Sequence, residues 1–212
     1  MTRIRRKLNL ARCGLAGRTM LVSADEIGRS LRGTAELLDR HPGALRRFDL
    51  SERGFWRSFG AMALTAPAAV VALALERGPV DLARAPLLRP DHVTLAVMGG
   101  VVACFLAVPL GMIVPARRLG LTALYVPFVV VTNWILVLAF LVLSLPALLL
   151  ALGLSTPGLA TLQSGAFAVI LLRLHATAVR LTLGLTGPAA ALTSLACAAA
   201  VAAVASGAHA LI

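Results

Sequence analysis

The residues that could do chemistry in this chain lie mostly in its first 91 positions. None of the nine acidic residues lies beyond Asp91. Catalysis needs groups that transfer protons, attack a substrate or bind a metal. The four histidines have neither the spacing nor the expected proximity of a metal site. They are His41, His92, His175 and His209. Phosphate-binding loops and the common hydrolase motifs are also missing. The sequence therefore predicts no enzyme, no metal site and no cofactor.

Arginines are the remaining candidates for a binding site. Arg173 and Arg180 are seven residues apart, so both guanidinium groups reach the same side of a helix and the phosphates of one leaflet. Arg117 and Arg118 form a second basic pair in a tight turn. These four residues predict contact with anionic lipid or with an acidic partner, and simple anchoring of the chain is the alternative. The same reasoning interprets His175 as a histidine at headgroup level.

One stretch decides the class of protein. Residues Leu119 to Leu172 include no Asp, Glu, Lys, Arg or His. About 20 helical residues cross a hydrocarbon core of about 30 Å, so this run holds two crossings. Between them, Gly153 to Gly158 collects turn formers, which marks the place where the chain leaves the bilayer and returns. The chain is therefore predicted to be a membrane protein that crosses the bilayer several times.

Composition and charge agree with a membrane domain that carries a cytosolic extension. Hydrophobic residues make up 59% of the chain and charged residues 14%. Twelve of the 20 Lys and Arg residues lie in the first 53 positions, which is typical of a positive cytoplasmic end attracted to anionic headgroups. Nucleic acid is a poor candidate partner, because no basic stretch is interleaved with stacking aromatics.

The hydropathy pattern predicts an all-α integral membrane bundle of about five transmembrane helices over residues 51–212. The expected spans lie near 55–75, 93–114, 121–145, 159–179 and 188–206. With the amino terminus in the cytoplasm of a bacterial inner membrane, sixteen basic residues lie inside and three outside, in agreement with the positive-inside rule. The last segment is rich in alanine, so a four-span arrangement is the alternative.

Small residues at intervals of four predict where helices approach each other closely. The clearest series lies in the second span, and it indicates packing within the chain or a homodimer seam. Its members are Gly99, Ala103, Ala107 and Gly111. A second series, in the first span, consists of Ala61, Thr65 and Ala69.

Two amides lie inside predicted spans, where an unpaired polar group is costly. Asn133 is in the third span and Gln163 in the fourth. A hydrogen bond between helices explains Asn133. The alternative is that both amides line the pathway of a small carrier or channel.

The amino-terminal region divides into a basic arm and an amphipathic helix. Residues 1–22 are expected to be a disordered basic arm, with no cleaved export signal. Residues 23–50 form a cytosolic segment that begins with a capping box from Ser23 to Glu26. Ile27, Leu31 and Leu38, joined by Leu37, form its apolar stripe. Three surfaces are open to this helix: its own membrane domain, the bilayer surface and another protein.

Two segments carry a resemblance to known proteins. Leu37 to Pro42 together with Phe48 to Phe59 resembles the start of small proteobacterial membrane proteins whose biochemical role is unsettled. The turn from Arg180 to Gly184 is similar to the corresponding position of Yip1-like five-span proteins. The resemblance implies a five-helix integral membrane fold without enzymatic activity.

Two functions are consistent with these features. The leading hypothesis is a non-enzymatic scaffold or interaction protein of the inner membrane that engages anionic lipid or a membrane partner. The alternative is a small carrier or channel whose pathway passes Asn133 and Gln163.

Overall fold

The computed structural model describes residues 22–41, 43–84, 86 and 88–212. The predicted basic arm therefore lies outside the described residues, except for Val22. The helices, in chain order, are α1 (Ala24–Leu38), α2 (Glu52–Gly60), α3 (Ala66–Arg84), α4 (His92–Arg118), α5 (Thr122–Ala151), α6 (Pro157–Leu183) and α7 (Gly187–His209). Two short 3-10 helices, Ala44–Arg47 and Ala61–Thr65, flank α2.

Five segments are long and apolar enough to cross a membrane. The first, Glu52–Gly78, runs through α2, the second 3-10 helix and most of α3, and the other four are α4 to α7. The predicted all-α bundle of about five spanning helices is confirmed. The alanine-rich α7 has 23 residues, enough for a full crossing, because about 20 suffice. Gly78, with φ 66°, breaks α3 at the end of the first segment.

The five segments form a ring. The most extensive contacts are between α5 and α6 and between α4 and α7; α6 also packs on α7, and α3 packs on α4 and α5. Ala61, Thr65 and Ala69 are all buried, as expected for a helix face that others approach closely. Helix α1 lies at the end of the bundle where α4 and α6 finish, here called the α1 face. The other end is called the opposite face.

The small-residue series in α4 predicts packing against another helix of the chain, but its two glycines do not pack in this way. Gly99 and Gly111 are exposed, and a methyl group on either would meet no atom within 4 Å, while Ala103 and Ala107 are half-buried. The close contact is made by Gly100, where a Cβ would lie 2.7 Å from the Ala208 side chain of α7. Bulky residues of α4 turn inward instead, and this rotates the glycines toward lipid. A homodimer seam there stays a prediction.

A polar network closes the opposite face. The Arg77 guanidinium donates to the Pro86 carbonyl at 2.9 Å, to Asp91 Oδ1 at 2.8 Å and to the Thr94 hydroxyl at 2.6 Å. Asp91 also pairs with Arg89 and caps α4 by accepting from the Thr94 backbone N–H. The hydrogen bonds from Arg89 and then from this N–H lower the pKa of Asp91. The network ties the connection between α3 and α4 to the start of α4.

Asn133 makes a hydrogen bond between helices, one of the two predicted roles. Its side chain is fully buried, and Nδ2 donates to Ser58 Oγ of α2 at 2.9 Å. The Ser58 hydroxyl in turn donates to the Phe55 carbonyl at 2.7 Å. The amide therefore joins α5 to α2 through Nδ2, while its Oδ1 has no hydrogen-bond partner among the described residues.

A double-mutant cycle with Ser58→Ala and Asn133→Ala tests this bond. We expect a coupling energy of about 0.6 kcal/mol, and at most about 1.7 kcal/mol, because membrane hydrogen bonds between helices average that much. The measurement is reversible unfolding of the four proteins in mixed micelles. Strictly additive losses would show that the contact contributes nothing to stability.

Candidate functional site

Helix α1 docks on its own membrane domain, the first of the three predicted surfaces, but through an unexpected face. Its buried residues are Glu26, Ser30, Gly33, Thr34 and Leu37. Leu31 and Leu38 of the predicted apolar stripe are exposed, and only Leu37 is fully buried. Small side chains explain the choice, because a Cβ on Gly33 would lie 2.7 Å from the Phe48 ring.

Two ion pairs join α1 to neighbouring elements. Glu26 is 3% exposed and pairs with Arg57 of α2. Burial raises the pKa of Glu26, although the nearby Arg57 opposes the shift. At the other end of the helix, Glu36 accepts a two-pronged bond from Arg47, with N–O distances of 2.8 and 3.0 Å. This bond lowers the pKa of Glu36.

The carboxyl end of α1 presents an arginine to the bundle. The Arg40 backbone N–H donates to the Leu37 carbonyl, and that of His41 donates to the Glu36 carbonyl. This pattern needs a left-handed residue, which is usually glycine. Here the residue is Arg40, at φ 55°. A non-glycine residue is strained in this region, and such strain is often found at functional sites.

Arg40 meets the two predicted arginines of α6 in one groove on the α1 face. The groove has a volume of about 360 Å³. It is lined by Arg40, Arg173, Ala176, Thr177, Arg180, Leu181, Gly187 and Ala190. The Thr177 hydroxyl donates to the Arg173 carbonyl at 3.0 Å, so its lone pairs are the only side-chain acceptor in this lining. Among the described residues, no carboxylate pairs with any of these three arginines.

The first turn of α7 adds a positive end to the groove. Gly184, at φ 66°, ends α6, and α7 begins at Gly187 after a short connection. Thr186 makes no side-chain capping bond, so free N–H groups remain at this helix start. The amino terminus of a helix attracts anions through these groups and through its dipole. The groove therefore combines three guanidinium groups with a helix amino terminus.

Other predicted residues lie elsewhere. Arg117 and Arg118 are exposed at the end of α4 and do not line the groove. Gln163 lies twelve residues before His175 on α6, about 18 Å along the axis from the level of Asn133. Neither Asn133 nor Gln163 lines the large cavity described next. The structure does not bring these two amides together as a pathway.

A cavity of about 600 Å³ lies between all five spanning segments. His175 is 8% exposed and lines it, with Nε2 lying 3.3 Å from Thr132 Oγ1 of α5. The interpretation of His175 as a headgroup histidine is therefore wrong. Sequence reasoning also missed Thr132 and Ser194, which line the same cavity. Each lies next to another polar residue on an apolar helix, Asn133 and Thr193 respectively, and this pattern does not reveal a shared chamber.

The pKa shifts of the two glutamates of α1 predict that pH changes their contributions to folding stability in opposite directions. Glu26 has a raised pKa when folded, so its contribution to stability is present below its ordinary value of 4.5 and is lost as pH rises through the folded value. Glu36 has a lowered pKa, so its contribution is present above 4.5 and is lost as pH falls through the folded value.

Thermal unfolding of wild type, Glu26→Gln and Glu36→Gln between about pH 3 and about pH 7 measures both effects. We expect wild type to lose stability relative to Glu26→Gln as pH rises, and to gain it relative to Glu36→Gln. Parallel pH profiles for the two variants would contradict the described burial of Glu26.

No family model, curated protein or solved structure matches this chain.

Proposed function

We propose that this protein is a non-enzymatic scaffold of the bacterial inner membrane that holds an anionic phospholipid in the groove formed by Arg40, Arg173 and Arg180. The observation that carries the proposal is the convergence of three guanidinium groups from α1 and α6 at the amino terminus of α7. Guanidinium groups bind phosphate oxygens through two parallel hydrogen bonds, and the helix start adds backbone donors.

The proposed orientation places the α1 face in the cytoplasm. Arg117, Arg118, Arg173 and Arg180 all belong to this face, whereas Arg77 and Arg89 belong to the opposite one. An excess of basic residues on one side is the usual mark of the cytoplasmic side. The cytoplasmic leaflet also holds the anionic lipids that attract such residues.

Exposed apolar residues support a position of α1 at the membrane surface. Leu31 and Leu38 are exposed on α1, and Trp56 is 57% exposed on α2. Trp56 belongs to an aromatic group with Phe55 and Phe59. The centroid of the Phe55 ring lies 5.1 Å from that of Trp56 and 5.3 Å from that of Phe59. Aromatic rings and amphipathic helices prefer the interface between headgroups and acyl chains. In this proposal, α1 carries Arg40 to the level of the lipid phosphates.

The resemblance to Yip1-like five-span proteins and a homodimer through α4 both stay predictions. A scaffold that holds lipid is compatible with either one. A membrane-protein partner is a further prediction, for which the exposed face of α1 is the candidate surface.

Titration with fluorescent phosphatidylglycerol in zwitterionic micelles tests the groove. We expect the double variant Arg173→Gln/Arg180→Gln to raise Kd about 30-fold, because each basic residue near the surface contributes about 1 kcal/mol. Thermal unfolding checks that the variant remains folded.

The matched control is Arg117→Gln/Arg118→Gln, which removes the same charge from the same face outside the groove. We expect this pair to change Kd less than about threefold, because neither arginine lines the groove and both would act on a bound headgroup only through screened solvent. An equal rise in Kd in the two double variants would show that the lipid is attracted to the charged face in general and not bound in the groove. Equally tight binding of phosphatidylcholine would also contradict the proposal.

Arg40→Gly separates stability from binding. Glycine adopts the left-handed conformation without strain, so the free energy of unfolding should not fall and should rise by up to about 1 kcal/mol. Loss of one guanidinium should still raise Kd for phosphatidylglycerol about fivefold. Arg29→Gln, an exposed change on α1 outside the groove, is the control. Unchanged binding by Arg40→Gly would remove α1 from the site.

A further inference from the structure

The cavity between the five spanning segments is distinct from the arginine groove. It is lined from every segment, and its walls are almost entirely apolar. Representative lining residues are Leu75, Val108, Phe140, Leu143, Leu171 and Val201. At about 600 Å³ it falls in the size range that holds drug-sized ligands.

Three polar side chains of the cavity lining lie at a similar depth in the bundle. Thr132 lies ten residues into α5, His175 eight residues before the end of α6, and Ser194 seven residues into α7. All three are therefore about 10 to 15 Å from the ends of their helices on the α1 face. The rest of the cavity extends from this polar end toward the opposite face, past Leu75 of α3 and Ala205 of α7.

The polar end has unused hydrogen-bonding capacity. Ser194 is 0% exposed, lines the cavity, and its Oγ has no hydrogen-bond partner. His175 uses Nε2 toward Thr132, and its ring lies edge-on to Phe128 at 6.2 Å. Among the described residues, none bonds to its Nδ1. A buried hydroxyl without a partner in an apolar setting is costly, so an occupant that bonds to it would stabilise the protein.

The lining restricts the chemistry of that occupant. It contains no Asp, Glu, Lys or Arg, and a charged molecule would lose its hydration there without compensation. We propose that the cavity binds a neutral, mostly hydrocarbon molecule of the long-chain alcohol class, whose single hydroxyl group bonds to Ser194 at the level of His175. The hydrocarbon chain then follows the apolar walls toward the opposite face.

Photolabelling of the purified full chain in nanodiscs tests this proposal. The probe is hexadecanol with a diazirine in its chain, and the comparison probe is the matching diazirine hexadecane. We expect saturable labelling by the alcohol that mass spectrometry maps to α5, α6 and α7. Ser194→Ala should raise the concentration of alcohol needed for half-maximal labelling about fivefold, the usual effect of losing one hydrogen bond. The same substitution should leave labelling by the alkane unchanged.

Matched substitutions on α7 separate the cavity from the lipid-facing surface. Ala196 and Ala198 are both exposed, but Ala198 lines the cavity and Ala196 does not. Ala198→Phe should abolish saturable labelling, and Ala196→Phe should leave it unchanged, with thermal unfolding showing that both variants are folded. Equal labelling by alcohol and alkane, equal behaviour of the two phenylalanine variants, or labelling that never saturates would each overturn the proposal. Should Ala198→Phe fail to fold, the Ser194→Ala comparison decides by itself.

Discussion

The demand that buried backbone groups be paired is the constraint on which this structure depends. In hydrocarbon an unpaired N–H or C=O group costs several kcal/mol, so a chain with this hydropathy can cross only as helices that satisfy their own backbone. Every spanning segment here is helical. Two polar side chains inside the bundle meet the same demand by contacts between helices, whereas the Oγ of Ser194 has no partner among the described residues. Asn133 reaches Ser58 and Thr132 reaches His175, and both contacts join different helices.

Helix α6 links the two candidate sites because it presents different chemistry on two sides. Arg173, Thr177 and Arg180 face the groove, while Leu171 and His175 face the cavity. Helix α7 contributes to both in the same way, with Ala190 at the groove and Ser194, one turn later, in the cavity. The small side chains of α7 allow this arrangement, since they let α4 and α6 approach its backbone closely. Ala190 is buried and Ala208 lies against Gly100, whereas most of the other alanines of α7 are exposed.

The docking of α1 shows how tertiary contacts override a local pattern. A stripe of leucines predicts the buried face, yet the structure buries Glu26, Ser30 and Thr34 and exposes Leu31. In a soluble protein the exposed leucine would be a cost, because water surrounds the helix. Beside a bilayer the leucines can face lipid, so the docking contact selects side chains small enough for close approach. In α4, too, the packing contact differs from the one that the local pattern predicts, because Gly100 and not Gly99 lies against α7.

Hydropathy, helix length and charge are local properties of consecutive residues, so the fold class, the number of spanning helices and the shared side of Arg173 and Arg180 on α6 can all be predicted from sequence. The sequence also indicates that Asn133 needs a partner. Three features follow only from how the helices pack: the partner of Asn133, the groove that Arg40 shares with Arg173 and Arg180, and the cavity that Thr132, His175 and Ser194 share. The reason is rotational. A lipid-facing residue and a helix-facing residue have the same apolar composition, so composition does not record how far each helix turns about its own axis.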